Sequence, residues 1–328
     1  MDVFLYKYDP LFNGKTGKRI RKPIINQEIK QFESILIEVL KDLSFNVHEL
    51  SRFDVSRSPH PKSGISILFH GDKQDYPNID LFYMQMHLKT QFQLDQNGWG
   101  MSNSNLPHLT NFTINSLSGD ITGLKKVKLE LENMGTKLPQ SGRIFKKLPK
   151  KEYILVALQT PNDTVLQKYS DMGVSELVSK INEISKKIEL IFLVKPHPNT
   201  LRNRKLIFHL ARKAMFRGNV KIFMGDISEA IINSAGVIVL NSGVGFEALT
   251  YKKPVYTFGQ ADYSIAAHGA REMAIEEWCH SLPRKNTYSF FNEYLKYNIF
   301  ISDANSARLK IAKVIKKISK NKYYKNVK

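Results

Sequence analysis

Asn241-Ser242-Gly243-Val244-Gly245-Phe246-Glu247-Ala248-Leu249 decides how this chain is read. The apolar residues Val237 to Leu240 precede it as a short buried strand. The stretch turns on its glycines and opens a short helix that reads to about Tyr251. Lys253-Pro254 ends that helix, and Val255 to Phe258 follow as a second apolar strand before Gly259. A strand that breaks into a Gly-containing turn and then a helix suits an anion or a nucleotide. Backbone N–H groups at a helix start lack intrahelical partners, and the helix dipole favours negative charge there. Glycine admits close approach of a ligand to the backbone. Glu247, one turn in, is available to accept hydrogen bonds from a ribose. A tight strand-to-helix turn with no ligand fits the same residues.

Upstream the texture is the same from Tyr153 onward. Tyr153 to Leu158, Leu190 to Val194 and Val220 to Met224 read as apolar strands. Val174 to Ile188, Arg202 to Phe216 and Ile227 to Ser234 read as helices, the last with Asp226 or Ser228 to cap it. This alternation predicts a parallel sheet covered on both faces. Ligands of such sheets sit outside the carboxyl ends of the strands. Gln159 to Asp163, Lys195-Pro196-His197-Pro198 and Asn241-Ser242 all fall at such ends.

The amino-terminal half is less regular. Residues 1–26 read as irregular and basic. Gln27 to Leu43 is an amphipathic helix with Ile29, Phe32, Ile35, Leu36, Val39 and Leu40 at helical spacing. Phe45 to Leu50, Ile65 to Phe69 and Ile79 to His87 read as strands. His70 and His87 stand at strand ends, near a cleft or simply packed or solvated. Gln91 to Ser102 reads as an extended segment and a turn at Asn97-Gly98, either a surface hairpin or the lining of an acceptor pocket. Residues 103–150 show little periodicity beyond a helix over Gly123 to Met134, and Lys146 to Lys151 has the composition of a linker.

At the carboxyl end, Ala270 to Leu282, Tyr288 to Phe300 and Ser306 to Ser319 read as helices. The last carries an apolar stripe of Ile311, Val314, Ile315 and Ile318. Lys310, Lys313, Lys316, Lys317 and Lys320 crowd its other side. Docking against the core and lying on an anionic membrane surface are both open for it.

Composition excludes several classes. With 328 residues, 42% hydrophobic and 24% charged, the chain is globular and long enough for two domains. No apolar run reaches the length of about 18 residues that a spanning helix needs. Met1 to Tyr6 lacks the basic and apolar regions of a secretory signal. The single cysteine, Cys279, excludes an intramolecular disulfide and a cysteine-rich zinc site, and fits a cytoplasmic setting. The net charge of +19 suits acidic partners of any kind.

Three motifs now stand in register. Gln159-Thr160-Pro161-Asn162-Asp163-Thr164, Lys195-Pro196-His197-Pro198 and Asn241 to Leu249 with Lys253-Pro254-Val255 resemble the capsule polysaccharide biosynthesis family, which includes bacterial capsule β-Kdo transferases. The resemblance covers roughly residues 150–270. It implies an α/β, GT-B-like fold of two Rossmann-like domains with parallel sheets and a cleft between them. Residues 1–148 would be an acceptor-side domain, 149–285 the nucleotide-sugar-binding domain, and 286–328 terminal helices with a basic tail. It implies transfer of a sugar, Kdo above all, from a CMP-activated donor to a lipid-linked or saccharide acceptor. Asp163 would lie at the anomeric carbon, or cap the helix after it, and Gln159 would orient the sugar. His197, with Lys195 and Pro198 around it, would hold the donor phosphate. Asn241, Ser242, Gly243, Gly245 and Glu247 would hold phosphate and the cytidine ribose. CMP is a good leaving group and no Asp-x-Asp motif occurs, so neither a metal nor a cofactor is expected. The expected setting is cytoplasmic, peripheral on the inner face of the cytoplasmic membrane.

The family pattern is incomplete after Pro254-Val255. Tyr263 and Gly269 remain, but a Phe and a Trp of the usual continuation do not, which bears on the sugar more than on the fold. Three alternatives compete. CDP-glycerol-dependent polymerases of teichoic acid synthesis also carry a His-Pro turn, but their Asp-Tyr-Ser-Ser motif is replaced here by Leu240-Asn241-Ser242-Gly243. A nucleic-acid-binding protein would cluster basic residues with exposed aromatics on one face, whereas the charges here are spread along the chain. A non-catalytic polysaccharide-binding relative fits the same motifs.

Overall fold

The computed structural model describes residues 1–10, 26–55, 64–115, 119–135, 147–200 and 219–326. In chain order its elements begin with β1 (Asp2–Lys7), α1 (Gln27–Asp42), β2 (Asn46–Ser51), β3 (Ile65–Phe69), β4 (Leu81–Gln85) and β5 (Gln91–Asp95). They continue with α2 (Leu106–Asn115), α3 (Thr122–Met134), β6 (Tyr153–Ala157), α4 (Thr164–Tyr169), α5 (Val174–Ile184) and β7 (Ile191–Lys195). Then come β8 (Val220–Ile222), α6 (Ile227–Asn233), β9 (Gly236–Val239), α7 (Gly243–Thr250), β10 (Val255–Thr257) and β11 (His268–Gly269). The last are α8 (Ile275–Ser281), α9 (Tyr288–Tyr297), β12 (Ile299–Phe300) and α10 (Ala304–Asn326). The chain forms two compact units, one of Met1–Leu109 with Tyr294–Lys328, the other of Thr110–Glu293.

The first unit is built on a six-stranded sheet in the order β12-β5-β4-β3-β1-β2. Strands β2, β1, β3 and β4 are parallel, and β5 and β12 close one edge antiparallel. The sequence predicts irregular backbone over residues 1–26, yet β1 lies inside this sheet. Val3, Leu5 and Tyr6 are fully buried. An inner parallel strand is covered on both faces, so it shows no alternation from which to recognise it. Helix α1 starts at Asn26, whose side chain accepts from Ile29 N–H at 3.0 Å, and buries Phe32 and Leu36 on the sheet. The apolar stripe of α10 joins the same core through Ala307, Ile311, Ile315 and Ile318. Burial of side chains of this size contributes on the order of 2 kcal/mol each. Docking is therefore the outcome for that stripe, and the exposed side of α10 keeps Lys313, Lys316, Lys317 and Lys320.

The second unit holds an all-parallel sheet in the order β11-β10-β9-β6-β7-β8. Helix α5 buries Val174, Leu177, Val178, Ile181 and Ile184 in one core with Ile154, Val156, Phe192 and Val194 of the sheet. The predicted alternation of strands and helices after Tyr153 is thus observed.

Strand order reverses once in each sheet. The chain passes from β1 to β2 on one side and then crosses to β3 on the other. Likewise β6 leads to β7 and β8 on one side, and the chain then returns to β9 and β10 on the other. The crevices outside the carboxyl ends of β1 and β3, and of β6 and β9, are the topological switch points where ligands of such sheets bind.

Other expectations shift locally. Helix α2 occupies a stretch with little periodicity. The helix expected over Ala270 to Leu282 begins only at Ile275, and that expected over Tyr288 to Phe300 ends at Tyr297, with Ile299–Phe300 pairing on β5 instead. Asn97-Gly98 turns no hairpin. Strands β4 and β5 are joined earlier in the chain, and Gly98 leads into a single 3-10 turn, Gly100–Ser102. The helix expected over Arg202 to Phe216 and the basic residues Lys15 to Lys22 lie outside the described residues.

Candidate active site

The motif residues of the second unit converge on its switch point. Beyond β6 the chain runs through Gln159, and beyond β9 through Asn241. Both side chains are buried, so their amides must find partners. They find each other: Gln159 Nε2 donates to Asn241 Oδ1 at 2.9 Å, and Asn241 N–H donates to Gln159 Oε1 at 3.1 Å. Asn241 Nδ2 also donates to the Val165 carbonyl at 3.2 Å, which ties in the first turn of α4. Asp163 caps that helix, its Oδ1 accepting from Val165 N–H at 2.9 Å. The cap fixes a half-buried carboxylate at the carboxyl edge of the sheet.

One strand over, β7 ends at Lys195-Pro196-His197-Pro198. Pro198 opens a 3-10 turn, Pro198–Thr200, and Thr200 donates through N–H and Oγ1 to the His197 carbonyl at 2.9 and 2.7 Å. Asn199 N–H donates to His197 Nδ1 at 3.2 Å. With Nδ1 accepting, a neutral imidazole carries its proton on Nε2 and presents a hydrogen-bond donor there. Lys195 reaches across to the exit of the neighbouring strand β8. It is buried, its Nζ donates to the Gly225 carbonyl at 2.6 Å and lies 5.6 Å from the centre of the Phe223 ring. Burial lowers its pKa to about 8, against a smaller opposing pull from Asp226. The ammonium holds the turn between β8 and α6.

Helix α7 starts at the crevice. Ser242 caps it, accepting from Val244 N–H at 3.3 Å, and Gly243 is its first residue. Tyr263, fully buried, donates from its hydroxyl to the Ser242 carbonyl. Gly245 exists for that tyrosine. A Cβ on Gly245 would stand 2.4 Å from Tyr263 Oη and 2.8 Å from its ring. The sequence suggests that this glycine admits a ligand; the structure fills its open face with an aromatic ring. Glu247 is 5% exposed, and its Oε2 is buried with no hydrogen-bond partner among the described residues. Burial, and secondarily the Asp226 carboxylate, push its pKa up to about 8. At neutral pH it is therefore largely a neutral acid, able to donate as well as accept.

Gln159 and Asn241, joined through Val165 to the cap Asp163, thus form one hydrogen-bonded group at the switch point, and the helix start at Ser242 and Gly243 follows directly in the chain. His197 and Pro198 stand at the same sheet edge, where the Lys195 ammonium is held on the Gly225 carbonyl beyond the carboxyl end of β8. Sequence reasoning missed two residues that shape the site. Tyr263 appears in the sequence only as a survivor of the family pattern, and Asp226 only as a helix cap. Among the described residues no group of three His, Cys, Asp or Glu side chains is arranged to hold a metal ion.

A match to the family described as capsule polysaccharide biosynthesis protein spans residues 103–305. No curated protein matches the chain in sequence. Among solved structures, Thermosulfurimonas dismutans KpsC, beta Kdo 2,7 transferase, is similar with a TM-score of 0.56 at 15% identity, over 96% of this chain and 99% of that one. Thermosulfurimonas dismutans KpsC, beta Kdo 2,4 transferase, gives 0.50 at 12% identity, over 95% and 98%. At these identities the likeness concerns the fold, a GT-B-like pair of parallel-dominated sheets.

Proposed function

The chain belongs to the capsule polysaccharide biosynthesis protein family, and from that premise we propose that it transfers a sugar, Kdo first among candidates, from a CMP-activated donor to a saccharide or lipid-linked acceptor. One observation carries the proposal. The reciprocal Gln159–Asn241 pair lies at the switch point of a parallel sheet, beside the start of α7, where a nucleotide phosphate is expected.

In this scheme the N–H groups at the start of α7 and the Nε2–H of His197 meet the donor phosphate. The bond between the anomeric carbon and the phosphate oxygen breaks, and CMP leaves with the electron pair. Donors aimed at that oxygen stabilise the charge as it develops. The Asp163 carboxylate faces the electron-poor anomeric centre, and an acceptor hydroxyl forms the new bond while its proton passes to the departing CMP phosphate. Neutral Glu247 exchanges hydrogen bonds with the ribose. The scheme uses no metal and no cofactor.

A lipid-linked acceptor would be membrane-bound, and no helix among the described residues is long and apolar enough to cross a membrane. We extend the proposal to peripheral attachment at the inner face of the cytoplasmic membrane. Lys313, Lys316 and Lys320 share a helical face of α10 with Leu309, which is 74% exposed. A basic face with an exposed apolar residue suits an anionic lipid surface.

The test is incubation with CMP-Kdo, CMP-sialic acid or CDP-glycerol and a lipid-linked acceptor mimic, read by mass spectrometry. A Kdo-extended product is expected. Extension from CDP-glycerol alone, or no CMP binding by folded protein, would overturn the assignment.

A further inference from the structure

We propose that Tyr263 is a positioning residue for sugar transfer, and that segment 259–263 holds the helix capped by Asp163 in register with the helix start that meets the donor phosphate. The proposal rests on the donor reading above. It adds residues that act on the donor without touching it.

The first arm works through a peptide plane. Tyr263 is fully buried, so its hydroxyl needs a partner. It donates to the Ser242 carbonyl, which also accepts from Gly245 N–H at 3.0 Å. The Ser242–Gly243 peptide is planar and trans, so its N–H points opposite to its carbonyl. Holding that carbonyl on the buried phenol therefore aims the N–H of half-buried Gly243 away from the packed side of α7. Glycine resists rotation of this peptide least, and the phenol adds a second bond that holds it. The ring has no room to withdraw toward the helix. A Cβ on Gly245 would stand 2.8 Å from it, and Phe246 meets it edge-on at 6.3 Å.

The second arm works on α4. That helix has six residues and buries only Leu166, so it does not hold its place by itself. Asn241 ties its first turn through the Val165 carbonyl. Segment 259–263 ties its last, where Gln260 N–H donates to the Tyr169 carbonyl at 2.7 Å. Gly259 comes so close that a Cβ there would stand 2.9 Å from Ser170 Cβ and 3.0 Å from the Tyr169 carbonyl oxygen. The segment is itself anchored. Gly259 N–H donates to the Leu240 carbonyl at the exit of β9 at 2.9 Å, and Ala261 N–H donates to Ser264 Oγ at 2.8 Å. One short connection thus binds the end of α4 and the start of α7, the two elements that carry Asp163 and Ser242.

The experiment uses the full chain, with CMP and cytidine as probes in calorimetry. Tyr263→Phe keeps the ring and removes the hydroxyl. CMP affinity should fall about tenfold, the scale of one aimed hydrogen bond to a charged group. Cytidine lacks the phosphate and should bind both proteins alike. Unchanged CMP affinity in folded Tyr263→Phe, or an equal loss for cytidine, would overturn the proposal. Gly259→Ala tests the other arm and does not depend on the phenol variant folding. Its added Cβ displaces the end of α4 and leaves α7 alone. Release of CMP, from whichever of CMP-Kdo and CMP-sialic acid the parent turns over, should slow about tenfold or more at saturating donor. CMP affinity should stay at the parental value. Parental turnover in folded Gly259→Ala would overturn the proposal as well. A parent that binds no CMP would instead overturn the donor reading itself, and the proposal with it.

Discussion

Gln159 and Asn241 bind one another twice across the point where the second sheet changes direction, side chain to side chain at 2.9 Å and backbone to side chain at 3.1 Å. Removing one partner strands buried polar atoms of the other. Gln159→Leu is expected to cost about 1–3 kcal/mol in urea unfolding. Combined with Asn241→Leu, the two losses should be less than additive, with a coupling of about 1 kcal/mol or more. Strict additivity would mean that the pair is incidental.

Glu247 makes a prediction about pH. Its folded pKa, raised from 4.5 to about 8, lies above that of the unfolded chain. Between those values the folded state binds the extra proton, so the stability from neutral Glu247 is complete at low pH and is lost as pH rises through about 8. Glu247→Gln removes this dependence. The melting temperature of the variant, minus that of the parent, should grow between about pH 5 and about pH 8.5. A constant difference would show that the carboxyl ionises freely.

His197→Ala removes the Nε2–H donor without disturbing a buried core. Turnover should fall by about 100-fold or more, the usual scale for one preorganised donor at a developing charge. CMP affinity should fall with it, and the melting temperature should barely move. Near-parental turnover in a folded variant would end the phosphate-binding assignment.

The lysine face of α10 is testable by charge reversal of Lys313, Lys316, Lys317 and Lys320 to Glu. Lys310 is left intact, because its Nζ donates to the Leu295 and Asn298 carbonyls at 2.5 and 2.6 Å and its loss would unsettle the unit. Each lysine near an anionic surface contributes on the order of 1 kcal/mol. Co-sedimentation with phosphatidylglycerol vesicles should therefore be abolished at moderate salt. Equal binding by parent and variant would leave only the diffuse +19 charge.

Much of this was visible in residue order, and the exceptions share a cause. The second unit announced itself because its apolar strands and helices alternate at the right lengths, and each motif residue follows a strand end. Strand β1 and Ile299–Phe300 did not, since one is buried on both faces and the other is too short to show a period. The purpose of Gly245 was hidden because Tyr263 meets it only after folding. The sequence also placed Lys195 near a phosphate without indicating that its charge ends on the Gly225 carbonyl. Which carbonyl a lysine reaches is a tertiary fact.

The first unit is assembled from both ends of the chain, with residues 110–293 inserted between its parts. During synthesis the inserted unit emerges whole and has its full parallel sheet available to close while the polymerising chain is still attached. The first unit must wait: Phe32 can stack on Tyr83 and Phe92 early, but the core that α1 and the sheet share with Ile311 and Ile315 stays incomplete until those residues leave the ribosome. A nascent chain stalled with residue 293 just clear of the ribosome would therefore carry a finished second unit and a first unit whose core is still open, a form that chaperones should recognise and proteases should trim.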